Sequence, residues 1–220
     1  MQFNSKLRIA IFNLLIYLIF CLLLKTTIFI QEIDSKLFHY FQLQRTSFGD
    51  VCMTFITYFG NSTYLLIPVF IACIIFVVYK NWKYLALTVI SFGGIELLVG
   101  CSKLIMLRGC PFALLKGPNQ FLSFPSGHSA LSAAFYGLII YFSEKHFVKT
   151  QPKIIIITSG TLLILAISFS RLYLSAHWFF DILAGLALGF GWLFLVLGVY
   201  EKIVVTKYKP KVFRRRNKNG

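Results

Sequence analysis

Apolar stretches carrying no charge, or a single one, fill most of this chain, at residues 9–24, 51–79, 84–102, 129–143, 154–169 and 178–200. Such runs suit a bilayer, whose hydrocarbon core takes about 20 apolar residues per helical crossing and admits only helices or closed barrels. Six runs therefore predict an all-α polytopic membrane protein with six transmembrane helices in one bundle. The runs at 9–24, 129–143 and 154–169 are short for a crossing. Lys25 is expected to snorkel outward, and the turn at 125–128 to complete its crossing.

Only 13% of the residues are charged, against about 25% in a soluble domain, and the length leaves no room for a second globular unit. Residues 1–202 are expected to form one six-span domain and 203–220 a basic cytoplasmic tail. Between the first two runs, residues 31–50 mix Leu37, Phe38, Tyr40 and Phe41 with Glu32, Asp34, Lys36 and Arg45, a pattern that suits a helix lying in the interface. The first run follows Lys6 and Arg8 without a small-residue cleavage site after it, and so is expected to stay as a span.

The net charge of +15 would suit a nucleic-acid partner only if it gathered on a soluble face. Here it sorts by loop instead. Fifteen of the twenty-two Lys and Arg fall in the N-terminal segment, the turn at 80–83, the loop at 145–153 and the tail. The other seven (Lys25, Lys36, Arg45, Lys103, Arg108, Lys116 and Arg171) fall on the opposite side. Positive charge marks the cytoplasmic side, so both termini are expected there, in a multi-pass protein of the cell (inner) membrane with no nucleic-acid partner. Arg214, Arg215 and Arg216 in the tail are read as a topology determinant. The five cysteines show no evenly spaced framework and do not report the redox compartment.

This topology leaves two outer loops, 103–128 and 170–181, holding the polar residues that charge sorting does not explain. In the first, Pro125, Ser126, Gly127 and His128 immediately precede a span. Backbone N–H groups of a helix start would point outward there, beside a glycine that lets an anion approach. In the second, Ser170 and Arg171 are followed by His177, and Asp181 comes four residues later. That spacing puts the histidine and aspartate on one helical face, where the carboxylate can hold one ring nitrogen and leave the other free to attack. Glu96, within the third run, is seven residues before Lys103 and expected to be paired or protonated; Gly93, Gly94 and Gly100 are expected to permit close helix contacts.

These residues resemble the type 2 phosphatidic acid phosphatases, which share a core with acid phosphatases and vanadium-dependent haloperoxidases. The family pattern has three parts: Lys, six residues, Arg-Pro; then Pro-Ser-Gly-His; then Ser-Arg, five residues, His, three residues, Asp. The second and third are complete at Pro125-Ser126-Gly127-His128 and from Ser170-Arg171 through His177 to Asp181. The first has Lys103 and Pro111 in register but Cys110 at the arginine position. Arg108 could replace the missing ligand only if the chain has left helical geometry, which Gly109 and Pro111 favour. Cys110 as a nucleophile would need an arginine six residues on, where Lys116 stands.

The resemblance implies that His177 attacks phosphorus, that Asp181 orients it, and that His128 protonates the leaving group. It implies that Lys103, Arg171, Ser126, Gly127 and Ser170 bind the phosphoryl oxygens, with no metal and no cofactor. The expected activity is a metal-independent phosphatase acting through a phosphohistidine on a membrane lipid phosphate or diphosphate, of the polyprenyl diphosphate, phosphatidic acid, phosphatidylglycerophosphate or lipid A type. A lipid phosphotransferase and a non-catalytic lipid-phosphate binder or transporter are the alternatives.

Overall fold

A computed structural model of the protein describes residues 5–111, 122–146 and 149–208, without the side chains of 204–208. Lys116 and the arginines of the tail lie outside the described residues. Among those described are eight α-helices: α1 (Ser5–Thr26), α2 (Ile28–Leu43), α3 (Ser47–Tyr58), α4 (Ser62–Val78), α5 (Trp82–Met106), α6 (Gly127–His146), α7 (Thr150–Tyr173) and α8 (Phe179–Tyr208). An isolated bridge between Gly109 and Leu122 is the only extended pairing among them.

Two expected elements are divided, each by a cap. The interfacial segment at 31–50 splits into α2 and the start of α3, because Thr46 accepts the Gly49 N–H at 3.0 Å and Arg45 grips Asp50 at 2.9 and 3.0 Å. The long run at 51–79 splits where Asn61 accepts the Thr63 N–H at 2.9 Å and opens α4. Gly60, at that break, lies so close to α7 that a Cβ would come 2.4 Å from Ile167. Pro68 is carried inside α4. At the other end, α8 runs through the domain boundary expected at 202 and on to Tyr208.

Among the described residues, five stretches are long and apolar enough to cross a membrane: Ser5–Thr26, Ser47–Val78 (α3 with α4), Trp82–Met106, Thr150–Tyr173 and Phe179–Ile203. The chain is a multi-pass membrane protein. Helix α6 is not among the five, and much of it is covered by protein. It sits among α4, α5, α7 and α8, and Ser129, Ala130, Ser132, Ala133 and Ala134 are all buried. Its serines find partners locally, as Ser132 donates to the Ser129 carbonyl at 3.1 Å.

Helix α8 approaches α6 backbone to backbone. A Cβ at Gly185 would lie 2.5 Å from the Ser126 carbonyl oxygen, and one at Gly189 would lie 2.3 Å from that of Ala130. Small residues permit such contact between membrane helices. Of the glycines expected in this role, Gly94 abuts Trp192, whereas Gly93 and Gly100 face open space. At one end of the bundle Glu201 gathers Lys6 at 3.1 Å and Lys145 at 3.6 Å, which brings together the start of α1, the end of α6 and the far part of α8. The candidate site residues gather at the opposite end.

Candidate active site

Helix α5 stops in a way that frees the residues after Lys103. Leu107 adopts a left-handed conformation (φ 49°) and its N–H bonds the Lys103 carbonyl, so Arg108 has left the helix. The emerging strand is stapled in place. The Arg108 carbonyl accepts the Ser123 N–H at 2.7 Å, and the Gly109 carbonyl accepts the Trp178 ring N–H at 2.9 Å. The Lys103 ammonium donates to the Leu122 carbonyl at 2.9 Å. Cys110 is buried beside this turn.

The Pro125 to His128 turn is held by the last helix. The Ser126 N–H donates to the Asp181 carbonyl at 2.9 Å, and the Ser126 hydroxyl oxygen accepts from the Ser129 hydroxyl at 3.1 Å. Ser126 is fully buried, so its side chain serves the start of α6. Gly127 is open on its Cβ side except for Val99 at 3.6 Å, and His128 follows at the first turn.

Beyond α7 the chain bends through Ser175 (φ 56°), and the N–H groups of Ala176 and His177 both return to the Arg171 carbonyl, at 3.0 and 3.3 Å. The Arg171 guanidinium donates to the Thr57 hydroxyl at 2.9 Å, while its buried Nε has no partner. The Ser170 hydroxyl donates to the Ile167 carbonyl of its own helix at 2.7 Å. Lys103, His128, Arg171 and His177 lie close enough to act on one another electrostatically.

Asp181 is the third residue of α8, and its Oδ2 accepts the Trp178 N–H at 3.1 Å, closing the first turn. The same oxygen lies 3.8 Å from His177 Nδ1, which is buried and without a hydrogen bond. Nδ1 therefore faces the carboxylate, and Nε2 is the nitrogen left for chemistry. Burial holds the His177 imidazole below the ordinary histidine range; Asp181 works against this, and Arg171 and Lys103 add to it.

Arg108 has left helical geometry, as a replacement phosphate ligand would require, yet its guanidinium points elsewhere. Nη1 bonds Asp181 Oδ1 at 2.5 Å and Nη2 bonds Asp34 Oδ2 at 2.6 Å. The indole of Trp178 lies against it at 5.4 Å. Asp34, 1% exposed, also accepts the Phe180 N–H at 3.1 Å. Burial raises its carboxyl, and Arg108 and that amide pull it back down.

Sequence reasoning missed Asp34 and Thr57 as partners of the site. A signal for Asp34 was present, since Ile30, Asp34 and Phe38 recur every four residues and all three are buried. An acid in line with the apolar stripe of an interfacial helix needs a buried cation. Glu96, expected to have a partner, accepts a hydrogen bond from Ser62 at the start of α4.

Residues 10–204 match the family model of the PAP2 superfamily. Over 178 residues the chain is 37% identical to phosphatidylglycerophosphatase B of Bacillus subtilis (strain 168), covering 79% of this chain and 86% of that protein. It is 30% identical over 144 residues to an undecaprenyl-diphosphatase of Sulfolobus acidocaldarius, covering 62% and 64% of the two chains. The fold is similar to the crystal structure of a transmembrane PAP2 type phosphatidylglycerolphosphate phosphatase from Bacillus subtilis. The TM-score is 0.78 at 32% identity, over 88% of this chain and 96% of that one.

Proposed function

The chain belongs to the PAP2 superfamily, and from that premise we propose that it is a membrane lipid phosphatase whose nucleophile is His177. The observation that carries this reading is the meeting of two histidines and two cations at one end of the bundle. One of those histidines is backed by a buried carboxylate.

Lys103, Arg171 and the backbone at Gly127 draw the phosphoryl group in and offset the charge that spreads over its oxygens in transfer. The Nε2 lone pair of His177 forms the new N–P bond as the P–O bond to the lipid breaks, and Asp181 steadies the positive ring. His128 gives its proton to the departing oxygen, then takes one from the water that hydrolyses the phosphohistidine. Ser170 supports this from behind, through the end of α7, since its hydroxyl donates to the Ile167 carbonyl, while the Ser126 hydroxyl accepts from Ser129 and keeps its own proton for a phosphoryl oxygen. The catalytic charge is supplied by side chains, so the reaction is expected to proceed in chelator.

A lipid substrate is favoured by the surface beside Lys103, where Leu104, Ile105 and Leu107 are 71%, 68% and 67% exposed. An acyl or prenyl tail can lie along that face while its phosphate reaches inward. The relatives are named for phosphatidylglycerophosphate and for undecaprenyl diphosphate, and either kind of anionic head fits the cationic groups present. With α6 as a sixth crossing, the charge distribution puts both termini in the cytoplasm and the site on the outer side.

Phosphate release from a panel of lipid phosphates and diphosphates, in detergent with chelator, tests this reading. Turnover of at least one substrate, inhibited by vanadate, is expected. Metal-dependent turnover, or tight lipid binding without any release of phosphate, would overturn it.

A further inference from the structure

The groups behind His177 form a line: Nδ1 faces Asp181 at 3.8 Å, and Asp181 is joined through Arg108 to Asp34. Each carboxylate is almost wholly buried, and each takes one terminal nitrogen of the same guanidinium. Each is also tied to the backbone where α8 begins, Asp181 by the Trp178 N–H and Asp34 by that of Phe180. An ion of this kind inside a protein persists only when paired and hydrogen-bonded on all sides.

Charge counting gives the line a purpose. A carboxylate meant to steady a positive imidazole has to remain net negative, and Arg108 alone would cancel Asp181. With Asp34 on the other nitrogen the three groups sum to one negative charge, while the rigid guanidinium fixes the angle of Asp181. From this we propose that Arg108 and Asp34 are positioning residues for phosphoryl transfer, aiming Asp181 at His177 and keeping it negative. Helix α2, which contributes Asp34, is thereby part of the reaction machinery while staying clear of the substrate.

The proposal rests on His177 as nucleophile, so its test has one arm that uses turnover and one that does not. In the first, Asp34→Asn keeps the volume and removes the charge. Its kcat is expected to fall about 10- to 100-fold, the usual loss for the outer partner of an oriented histidine, with KM unchanged. Adding Asp34→Asn to Asp181→Asn is expected to cost nothing further, because Asp34 acts only through Asp181. A folded Asp34→Asn with unaltered kcat, or losses that multiply in the double variant, would overturn the proposal. So would Arg108→Lys raising KM at constant kcat, which would make Arg108 a phosphate ligand.

In the second arm the protein is labelled with 15N-histidine in detergent. The chain has four histidines, and the His177 signals are those missing from His177→Gln. Wild type is expected to carry the ring proton on Nδ1, with Asp34→Asn and Arg108→Lys both shifting it toward Nε2. Identical spectra in all three would refute positioning even if no lipid phosphate were ever turned over. Tautomer shifts in the two variants of a wild type that turns over no lipid phosphate would keep the positioning and discard the nucleophile.

Discussion

The two sides of His177 are built from the same kinds of residue and put to opposite uses. In front, Lys103 has one carbonyl and Arg171 one hydroxyl, and the Arg171 Nε is buried without a partner. Behind, Arg108 has both terminal nitrogens filled by carboxylates. An arginine with an empty donor beside an open turn is ready for an anion; one already paired with two anions is a scaffold. Role follows from what already occupies the donors, and neither residue type nor distance from a motif decides it.

The largest effect is expected from removing the group that separates the two sides. His177→Ala should lower turnover by about 10^6, below detection in a phosphate-release assay. Residual turnover near the wild-type rate would show that the ring is not the nucleophile. Next comes the front: Arg171→Ala should lower kcat by about 10^2 to 10^3, the loss typical of one preorganised donor on a developing oxyanion. If Arg171→Ala proved no worse than Arg108→Lys, the contrast between an open and a doubly paired arginine would fail.

Much of the front was legible in the sequence, since motifs are local and the chemistry demands particular spacings. Pro125 to His128 opens a helix and His177 stands four residues from Asp181, both as the pattern requires. The back was not legible, because Asp34 and Arg108 are 74 residues apart and meet only through the tertiary fold. Hydropathy gave six runs but hid the caps at Thr46 and Asn61, where one polar side chain opens a new helix inside an apolar or amphipathic stretch. It counted 129–143, within α6, among the six, although that helix is rich in buried serine and alanine and is not among the five stretches most suited to a crossing. Ser170 carried the right motif letter, and no pattern of letters tells that its hydroxyl turns to the Ile167 carbonyl of its own helix.

A smaller effect should come from the glycine that fixes the distance between front and back. The Cβ of Gly185→Ala would meet the Ser126 carbonyl 2.5 Å away, and that atom is backbone that cannot swing aside. Overpacking of this kind costs about 1–3 kcal/mol. Movement of Ser126 would also stretch its 2.9 Å bond to the Asp181 carbonyl. A lowered melting temperature with a several-fold fall in kcat is expected, and unchanged melting would show that the two helices part freely.

The smallest effect separates the two sides by sign. Burial and the front cations lower the His177 pKa while Asp181 raises it, and the balance lies below the ordinary value of 6.5. The ring thus stays neutral and nucleophilic as pH falls through 6.5, so the acid limb of kcat/KM should lie below that point. Between the folded pKa and 6.5 the unfolded chain binds a proton that the folded one refuses, so this group makes stability fall as pH falls. Arg171→Gln removes a cation and should move the acid limb upward. Asp181→Asn removes the opposing carboxylate and should move what activity survives further downward. Shifts of the same sign in both variants would mean that His177 does not stand between a positive front and a negative back.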